Sequence, residues 1–453
     1  MGQASTPAAG LQTRSLHAIN VTLDLHDKHA AVIGIRRSGS AALQLLRAHG
    51  AHVRAIDEQP PDPSVLPQTR ESLAPPLDLI VPSPGVPLDL PLLNEARASG
   101  IPVMGEVELA SYFLRGPIIG ITGSNGKTTT TALTGHLLRE CGIACQVGGN
   151  IGTAVTALVD TSREHQWNVL ELSSFQLEDI QHFHADIAVC LNVTPDHLDR
   201  HGTFENYARA KGRLFSTQRR GDKAVLNFDD VTCREFARET KADVRWFSVR
   251  RPVDLGMWLE RGELVSNGQP FLRREDIRLR GLHNVENVLA AALTAHLAGA
   301  PLNAIAAAVK TFPGVEHRIE FVRTLHGVDY FNDSKATNVD ATLKAIDAFD
   351  RGLWIILGGK DKGSDYRPLR EPLHQKARAA LLIGAARPLI RSALEGALPL
   401  VDCETLDKAV SYARQYAKPG DTVLLAPACA SFDQFANYEE RGKRFKQLVQ
   451  GSI

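Results

Sequence analysis

Thr122-Gly123-Ser124-Asn125-Gly126-Lys127-Thr128-Thr129-Thr130 carries the strongest structural signal in the chain. It follows an apolar run, residues 117–121, and precedes a helical pattern over 132–139. A strand, a glycine loop and a helix N-terminus together make a phosphate cradle, because loop N–H groups and the helix dipole both face an anion. Lys127 is placed to contact the β- and γ-phosphates and the Thr128 hydroxyl to bind Mg²⁺. Gly123, Ser124, Asn125, Gly126 and Thr129 complete the nucleotide-facing set. The common form of this loop has a glycine five residues before the Gly-Lys pair, where this chain has Ile121. Gly123 comes two residues later, so the loop is a shortened Thr-Gly-x-x-Gly-Lys-Thr. A ligand-free glycine turn is the plain alternative, and the Gly-Lys-Thr triplet in its strand–loop–helix setting argues against it.

The totals are those of a globular protein. A chain of 453 residues suggests about three domains at ~150 residues each. Hydrophobic residues make up 43% and charged residues 23%, and the net charge is zero, so nothing electrostatic points to nucleic acid or an anionic membrane. No window approaches the ~18 apolar residues of a transmembrane helix, so no membrane insertion is expected. The six cysteines form no Cys-x-x-Cys pair and lie in apolar segments, which suits buried free thiols in a reducing cytoplasm. Residues 1–14, rich in Ala, Ser, Thr, Pro and Gly, read as a disordered tail. No exposed coiled-coil pattern is visible, and a monomer is expected.

Three segments follow one another. In the first, 1–105, strand patterns at 30–33, 51–56 and 77–81 alternate with a helix at 38–49, which implies a parallel sheet. Its first turn, Gly34-Ile35-Arg36-Arg37-Ser38-Gly39, resembles a dinucleotide fingerprint with Arg36 in place of the middle glycine, which disfavours NAD. Arg36 and Arg37 could still hold a diphosphate and Asp57 a ribose hydroxyl; two solvated arginines and a turn aspartate fit equally well, and both readings stay open. The second segment, 106–313, holds the phosphate loop. Its strand at 167–172 carries Glu171 near its end, the usual place for a magnesium ligand beside such a loop. A strand at 187–193 leads into Asp196-His197, a helix at 207–215 carries Lys211, and Asn284 and Asn287 open an alanine-rich helix ending at 297. Singly, Glu171 could be a cap, His197 a turn residue and Lys211 a solvated lysine. Their weight comes from following strands that share a sheet with the loop. In the third segment, 314–453, polar clusters follow several strands: 316–318, 333–338, 358–363 and 427–435. Such clusters mark the ligand edge of an open α/β sheet.

Taken together, Thr122–Thr130, 171–177, 192–200, 283–287, 333–338 and 431–435 resemble the Mur ligases of peptidoglycan synthesis, in particular the glutamate-adding kind. The likeness runs from Ile33 to Phe445. Diamino-acid-adding relatives carry an Asp-Asn-Pro-Arg type of motif, absent here. The alanine-adding relative has His where this chain has Asn125, and folylpolyglutamate synthetases usually read Gly-Lys-Gly-Ser. The resemblance implies an α/β protein of three domains: a Rossmann-like N-terminal domain for a UDP-linked substrate, a central P-loop ATPase-like domain with a mostly parallel sheet, and a Rossmann-like C-terminal domain for the amino acid. It places Arg36, Arg37, Asp57, Ser83 and Gly85 near the UDP, and Asn150 and Ser173 along the path of the muramoyl-alanine. Asn284, Asn287, Arg318 and Asp333 would hold the nucleotide, and Thr337, Lys362, Ser431 and Tyr438 the glutamate. Tyr438 is often Phe in the family.

The implied reaction is ATP-dependent amide synthesis between UDP-N-acetylmuramoyl-L-alanine and glutamate, through an acyl phosphate and a tetrahedral intermediate. Phosphoryl transfer to a carboxylate joins two anions, so Lys127 and two Mg²⁺ ions must neutralise charge. Thr128 and Glu171 are expected at the first ion and His197 at the second. Lys211, a cation, would repel a metal. In the family the matching lysine is carbamylated, which turns it into a carboxylate-like ligand suited to a hard ion. A ligase using L-glutamate or a folate substrate, and a nucleotide-regulated binding protein without chemistry, are the alternatives.

Overall fold

The computed structural model describes residues 23–451; the tail expected at 1–14 lies outside them. Three sheets follow in chain order. The first has four parallel strands in the order Leu66–Pro67, His52–Asp57, His29–Ile33, Leu79–Pro82. Its middle strand, His29–Ile33, is buried on both faces beyond its first residue, as the apolar run Ala30–Ile33 requires. The helix Arg37–Ala48 starts directly after it. Gly39 is needed there, because a Cβ would collide with the Gly34 carbonyl.

The second sheet has nine strands. From one edge they run Gln269–Arg273, Glu263–Ser266, Gly256–Glu260, Asp243–Ser248, Lys223–Asn227, Ile187–Cys190, Ile118–Thr122, Trp167–Glu171 and Cys145–Gly149. All neighbours are parallel except along the two antiparallel pairings of the 256–273 ribbon. Ile118–Thr122, which leads into the phosphate loop, is fully buried and sits between Ile187–Cys190 and Trp167–Glu171. The helices Lys127–Glu140, Leu282–Leu297 and Leu302–Thr311 pack on one face through Leu133, Leu137, Val288, Ala292 and Ile305. Phe204–Ser216 covers the other face with Tyr207, Leu214 and Phe215.

The third sheet runs Glu320–Leu325, Val328–Asn332, Thr422–Leu425, Leu353–Gly358, Ala377–Ile383, Leu400–Glu404, parallel except for its first pair. The expected three-part α/β architecture with a mostly parallel central sheet is therefore present. Several strands go beyond the sequence patterns: 145–149, 223–227, 243–248, the 256–273 ribbon, 320–325 and 400–404. The expected helix at 132–139 begins five residues earlier, at Lys127, because the threonines 128–131 are turned into the core. All six cysteines are unpaired. Cys190, Cys233, Cys403 and Cys429 are buried as expected, whereas Cys141 and Cys145 are half-buried. Among the described residues no helix is long and apolar enough to cross a membrane.

Candidate active site

The loop 123–126 turns sharply at two glycines. Gly126 caps the helix Lys127–Glu140 with φ +86°, and a Cβ there would collide with Asn287 Oδ1. Behind the loop, Asn287 Nδ2 donates to Asn284 Oδ1 (3.0 Å), and Asn287 Oδ1 accepts from Thr130 Oγ1 (3.3 Å). Both asparagines are buried, so the start of Leu282–Leu297 is fastened to the start of the phosphate-loop helix.

Two lysines meet over the loop. Lys127 Nζ donates to the carbonyls of Gly123 and Ser124, each at 2.9 Å. Lys211 Nζ donates to the same Gly123 carbonyl at 2.9 Å and lies 4.5 Å from the centre of the Tyr207 ring. Burial pushes the Lys211 ammonium down to about 7, and the neighbouring positive charge of Lys127 pushes the same way. Burial also lowers Lys127, against the pull of Glu171. Glu171 ends the strand next to the loop strand and is buried. Its Oε1 accepts from Asn150 Nδ2 (2.7 Å), while its Oε2 has no hydrogen-bond partner among the described residues. A buried carboxylate oxygen without a donor is costly unless a cation or water meets it. Ser124 Oγ pairs with the Tyr207 hydroxyl (2.9 Å) and the Thr194 carbonyl (3.0 Å).

His197 has φ +52°, is exposed, and stands edge-on to Phe175 with ring centres 4.9 Å apart; its Nε2 is 3.6 Å from Asp196. Among the described residues no three His, Cys, Asp or Glu side chains are grouped to hold a metal. The expected ligand set contains only two such side chains, Glu171 and His197, the others being the Thr128 hydroxyl and Lys211. The unpartnered Glu171 Oε2 beside an anion cradle fits a divalent cation, whereas Lys211 as an ammonium does not.

The first segment reaches this site through Arg37, whose Nη2 donates to the Asn150 carbonyl (3.0 Å). Arg36 and Arg37 are both exposed. Asp57 accepts from the Ile35 and Gln59 amides (2.7 and 3.0 Å), which, with Arg36 nearby, hold its carboxyl below the usual range. Ser83 Oγ donates to the Gly34 carbonyl, and the space where a Gly85 side chain would stand is open. Ser173 caps the short helix Ser174–Leu177 in a capping box with Gln176. Ser83, Phe175, Gln176, Asp179 and Arg200 line one cleft between the first and second segments.

The third segment contributes Arg318, whose Nη2 donates to Thr128 Oγ1 (3.0 Å). Asp333 is buried, and desolvation raises its carboxyl to about 7 despite Arg318. Ser431 is buried, Thr337 half-buried and Lys362 exposed. The Tyr438 hydroxyl accepts from Lys335 Nζ (3.3 Å), and that lysine also lies over the Tyr438 ring. Sequence reading gives Lys335 no role, although it sits inside the 333–338 motif. Burial pushes its ammonium down to about 8, and both Glu171 and Lys127 act on it. Arg441 escapes sequence reading as well. It is fully buried, donates to Ser334 Oγ and the carbonyls of Ser334, Cys429 and Ala430, and has no carboxylate partner among the described residues. No local motif announces it, for it is one basic residue among several in the polar helix Tyr438–Gln450.

Comparison with known proteins agrees with this arrangement. Residues 121–295 match the model of the Mur ligase middle domain, and 317–429 that of the Mur ligase, glutamate ligase domain. The chain is 60% identical over 439 residues to the UDP-N-acetylmuramoylalanine–D-glutamate ligase of Solibacter usitatus, covering 95% of this chain and 99% of the relative. It is 49% identical to the protein of the same description from Acidobacterium capsulatum, covering 94% and 97%. Among solved structures it resembles the UDP-N-acetylmuramate-alanine ligase MurC of Thermotoga maritima (TM-score 0.62, 19% identity, 94% and 100% covered). It also resembles the MurF ligase of the same organism in complex with ADP (TM-score 0.60, 17% identity, 94% and 96% covered). Those structural likenesses speak for the fold, and the identity to the curated relatives along nearly the whole chain goes further: this chain belongs to the Mur ligase family.

Proposed function

We propose that the chain joins D-glutamate to UDP-N-acetylmuramoyl-L-alanine at the expense of ATP, releasing ADP and phosphate. The observation that carries this is the 60% identity, end to end, with a D-glutamate-adding relative. The geometry adds a phosphate loop with Lys127, Lys211 and Glu171 gathered around it.

In this reading residues 1–105, 106–313 and 314–453 form the UDP-substrate, ATP and amino-acid domains, each with its own sheet. Lys127 neutralises the transferring phosphoryl group, with the backbone of Gly123–Thr129 around the phosphates. Asn284, Asn287, Arg318 and Asp333 hold the nucleotide. Arg36, Arg37, Asp57, Ser83 and Gly85 hold the UDP, and Asn150 and Ser173 orient the alanyl carboxylate. Thr337, Lys362, Ser431 and Tyr438 hold the glutamate carboxylates, so that its amine meets the activated carbonyl. Thr128, Glu171, His197 and carbamylated Lys211 would hold two Mg²⁺ ions, which when bound supply charge neutralisation to the anionic oxygens. The lowered ammonium of Lys211 favours carbamylation, because CO₂ adds to a neutral amine with loss of a proton.

Phosphate release tests the reading. Release should require ATP, UDP-N-acetylmuramoyl-L-alanine and D-glutamate together. Equal release with L-glutamate, L-alanine or a diamino acid, or with a folate in place of the UDP-sugar acid, would overturn it.

A further inference from the structure

The loop's amides divide into two groups. Ser124 N donates to the Asn192 carbonyl (2.8 Å) and Asn125 N to Asn192 Oδ1 (2.8 Å). Asn192 Nδ2 donates back to the Asn125 carbonyl (3.2 Å), so the asparagine side chain grips one residue at both its N–H and its C=O. Among the described residues, the next four amides, those of Gly126, Lys127, Thr128 and Thr129, have no hydrogen-bond partner. They are the orphan donors of a helix start, and they are what a helix N-terminus offers an anion.

Asn192 follows closely on the strand Ile187–Cys190, beside the loop strand. Its own backbone is fixed on both sides: Asn227 Nδ2 donates to the Leu191 carbonyl (2.9 Å), and Val193 N donates to Asp230 Oδ2 (3.0 Å). Ser124 Oγ ties the same two segments once more by accepting from Thr194 N (2.9 Å).

We propose that Asn192 is a positioning residue for ATP: it occupies the Ser124 and Asn125 amides and anchors Asn125, so that the triphosphate is met by the N–H groups of Gly126–Thr129. This rests on the reading of the loop as the ATP site. It also accounts for the shortened loop. In this loop without a glycine at 121, the neighbouring strand end holds the first part of the turn. An asparagine is required, because the grip needs an acceptor and a donor on one planar group. An aspartate in its place would keep the acceptor, lose the donor and set a second carboxylate oxygen against the Asn125 carbonyl.

The test compares wild type with Asn192→Ala and Asn192→Asp. Nucleotide affinity is measured with ATP or ADP, UDP-substrate affinity separately without nucleotide, and the KM for all three substrates. Amide hydrogen exchange is followed over 122–130. Wild type without nucleotide should protect the Ser124 and Asn125 amides and leave 126–129 fast, and nucleotide should protect the latter. In Asn192→Ala the Asn125 amide should become fast and the KM for ATP rise about tenfold or more, as two lost hydrogen bonds predict. UDP-substrate affinity should stay within twofold. Asn192→Asp should weaken ATP at least as much. Wild type that binds no nucleotide would refute the site itself. Wild type that binds nucleotide while both variants bind it equally well, or variants that lose UDP-substrate affinity to the same degree, would overturn the role of Asn192.

Discussion

Lys211 shows how one buried side chain can carry an inference that composition cannot. Its ammonium shares the Gly123 carbonyl with Lys127, and the two charges in a buried setting make the neutral amine accessible near neutral pH. Lys211→Ala is expected to abolish turnover, with partial recovery on adding short carboxylates; unchanged turnover in initial-rate assays would exclude a role for the carbamate. Asp179 offers a test of stability. Burial raises its carboxyl from 3.8 to about 6, Glu108 and Glu178 push the same way, and its Oδ2 has no partner. The folded state therefore holds the proton more tightly than the unfolded chain. Stability declines as pH rises from 3.8 to about 6, and the full penalty persists above that. Asp179→Asn keeps an acceptor for the Gly105 amide without the buried charge. It should stabilise the protein at pH 8 by on the order of 2 kcal/mol and do little below pH 4. Denaturant midpoints on either side of that window decide it, and an equal shift at both would refute the charge explanation.

At the scale of elements, burial on both faces made several strands legible, though His52–Asp57 was read without it and the equally buried Lys223–Asn227 was missed. Residues 30–33, 187–193 and 353–357 read as strands because a sheet covered on both sides needs a continuous apolar run, the second ending at Cys190 in the structure. The strand Cys145–Gly149 hid behind two glycines at an edge, and the 256–273 ribbon behind charged residues on its exposed side. Candidate site residues were legible at the ends of such strands, as Glu171 is. Asn192, Lys335 and Arg441 were not, because their meaning lies in partners remote in sequence or in backbone carbonyls. Arg441 illustrates this. It joins the loop containing Ser334 to the Cys429–Ala430 carbonyls, and Lys360 N donates to Ala430 O (2.9 Å), so three loops of the third sheet meet at one guanidinium. Burial lowers it to about 10, far above any working pH, so it stays charged. Arg441→Met leaves the Ser334 and Cys429 carbonyls without that donor at a cost of about 3 kcal/mol or more. It should raise the KM for glutamate more than that for ATP. Steady-state kinetics with equal changes in both would argue that the loops are not coupled through this residue.

Across the whole molecule, several arginines bridge the segments, Arg200 to the Val86 carbonyl (3.0 Å) among them, and three others differ in kind. Arg37 reaches the Asn150 carbonyl from the first segment, and Arg318 reaches the Thr128 hydroxyl from the third. Both are expected substrate contacts, so ligands would compete for them. Arg280 is different. It precedes the helix Leu282–Leu297 and lies over Phe331 and Phe349 of the third segment, 4.8 and 5.3 Å from the ring centres, with Asp329 at 3.8 Å. No expected ligand calls on it, so it can hold the second and third segments together in the absence of substrate. In the proposed reading ATP and glutamate bind on facing domains, which requires those segments to approach and then to separate for products to leave. A cation–π contact at a half-exposed site is worth about 0.5–1 kcal/mol, enough to bias such an equilibrium without locking it. Arg280→Ala should therefore favour the separated arrangement by roughly two- to fivefold. Small-angle scattering should show a larger radius of gyration for the ligand-free variant than for wild type, and ATP analogue with UDP-substrate should bring the two together. Identical ligand-free profiles would show that Arg280 does not govern the approach, leaving the substrate-facing arginines to close the molecule only when their ligands arrive.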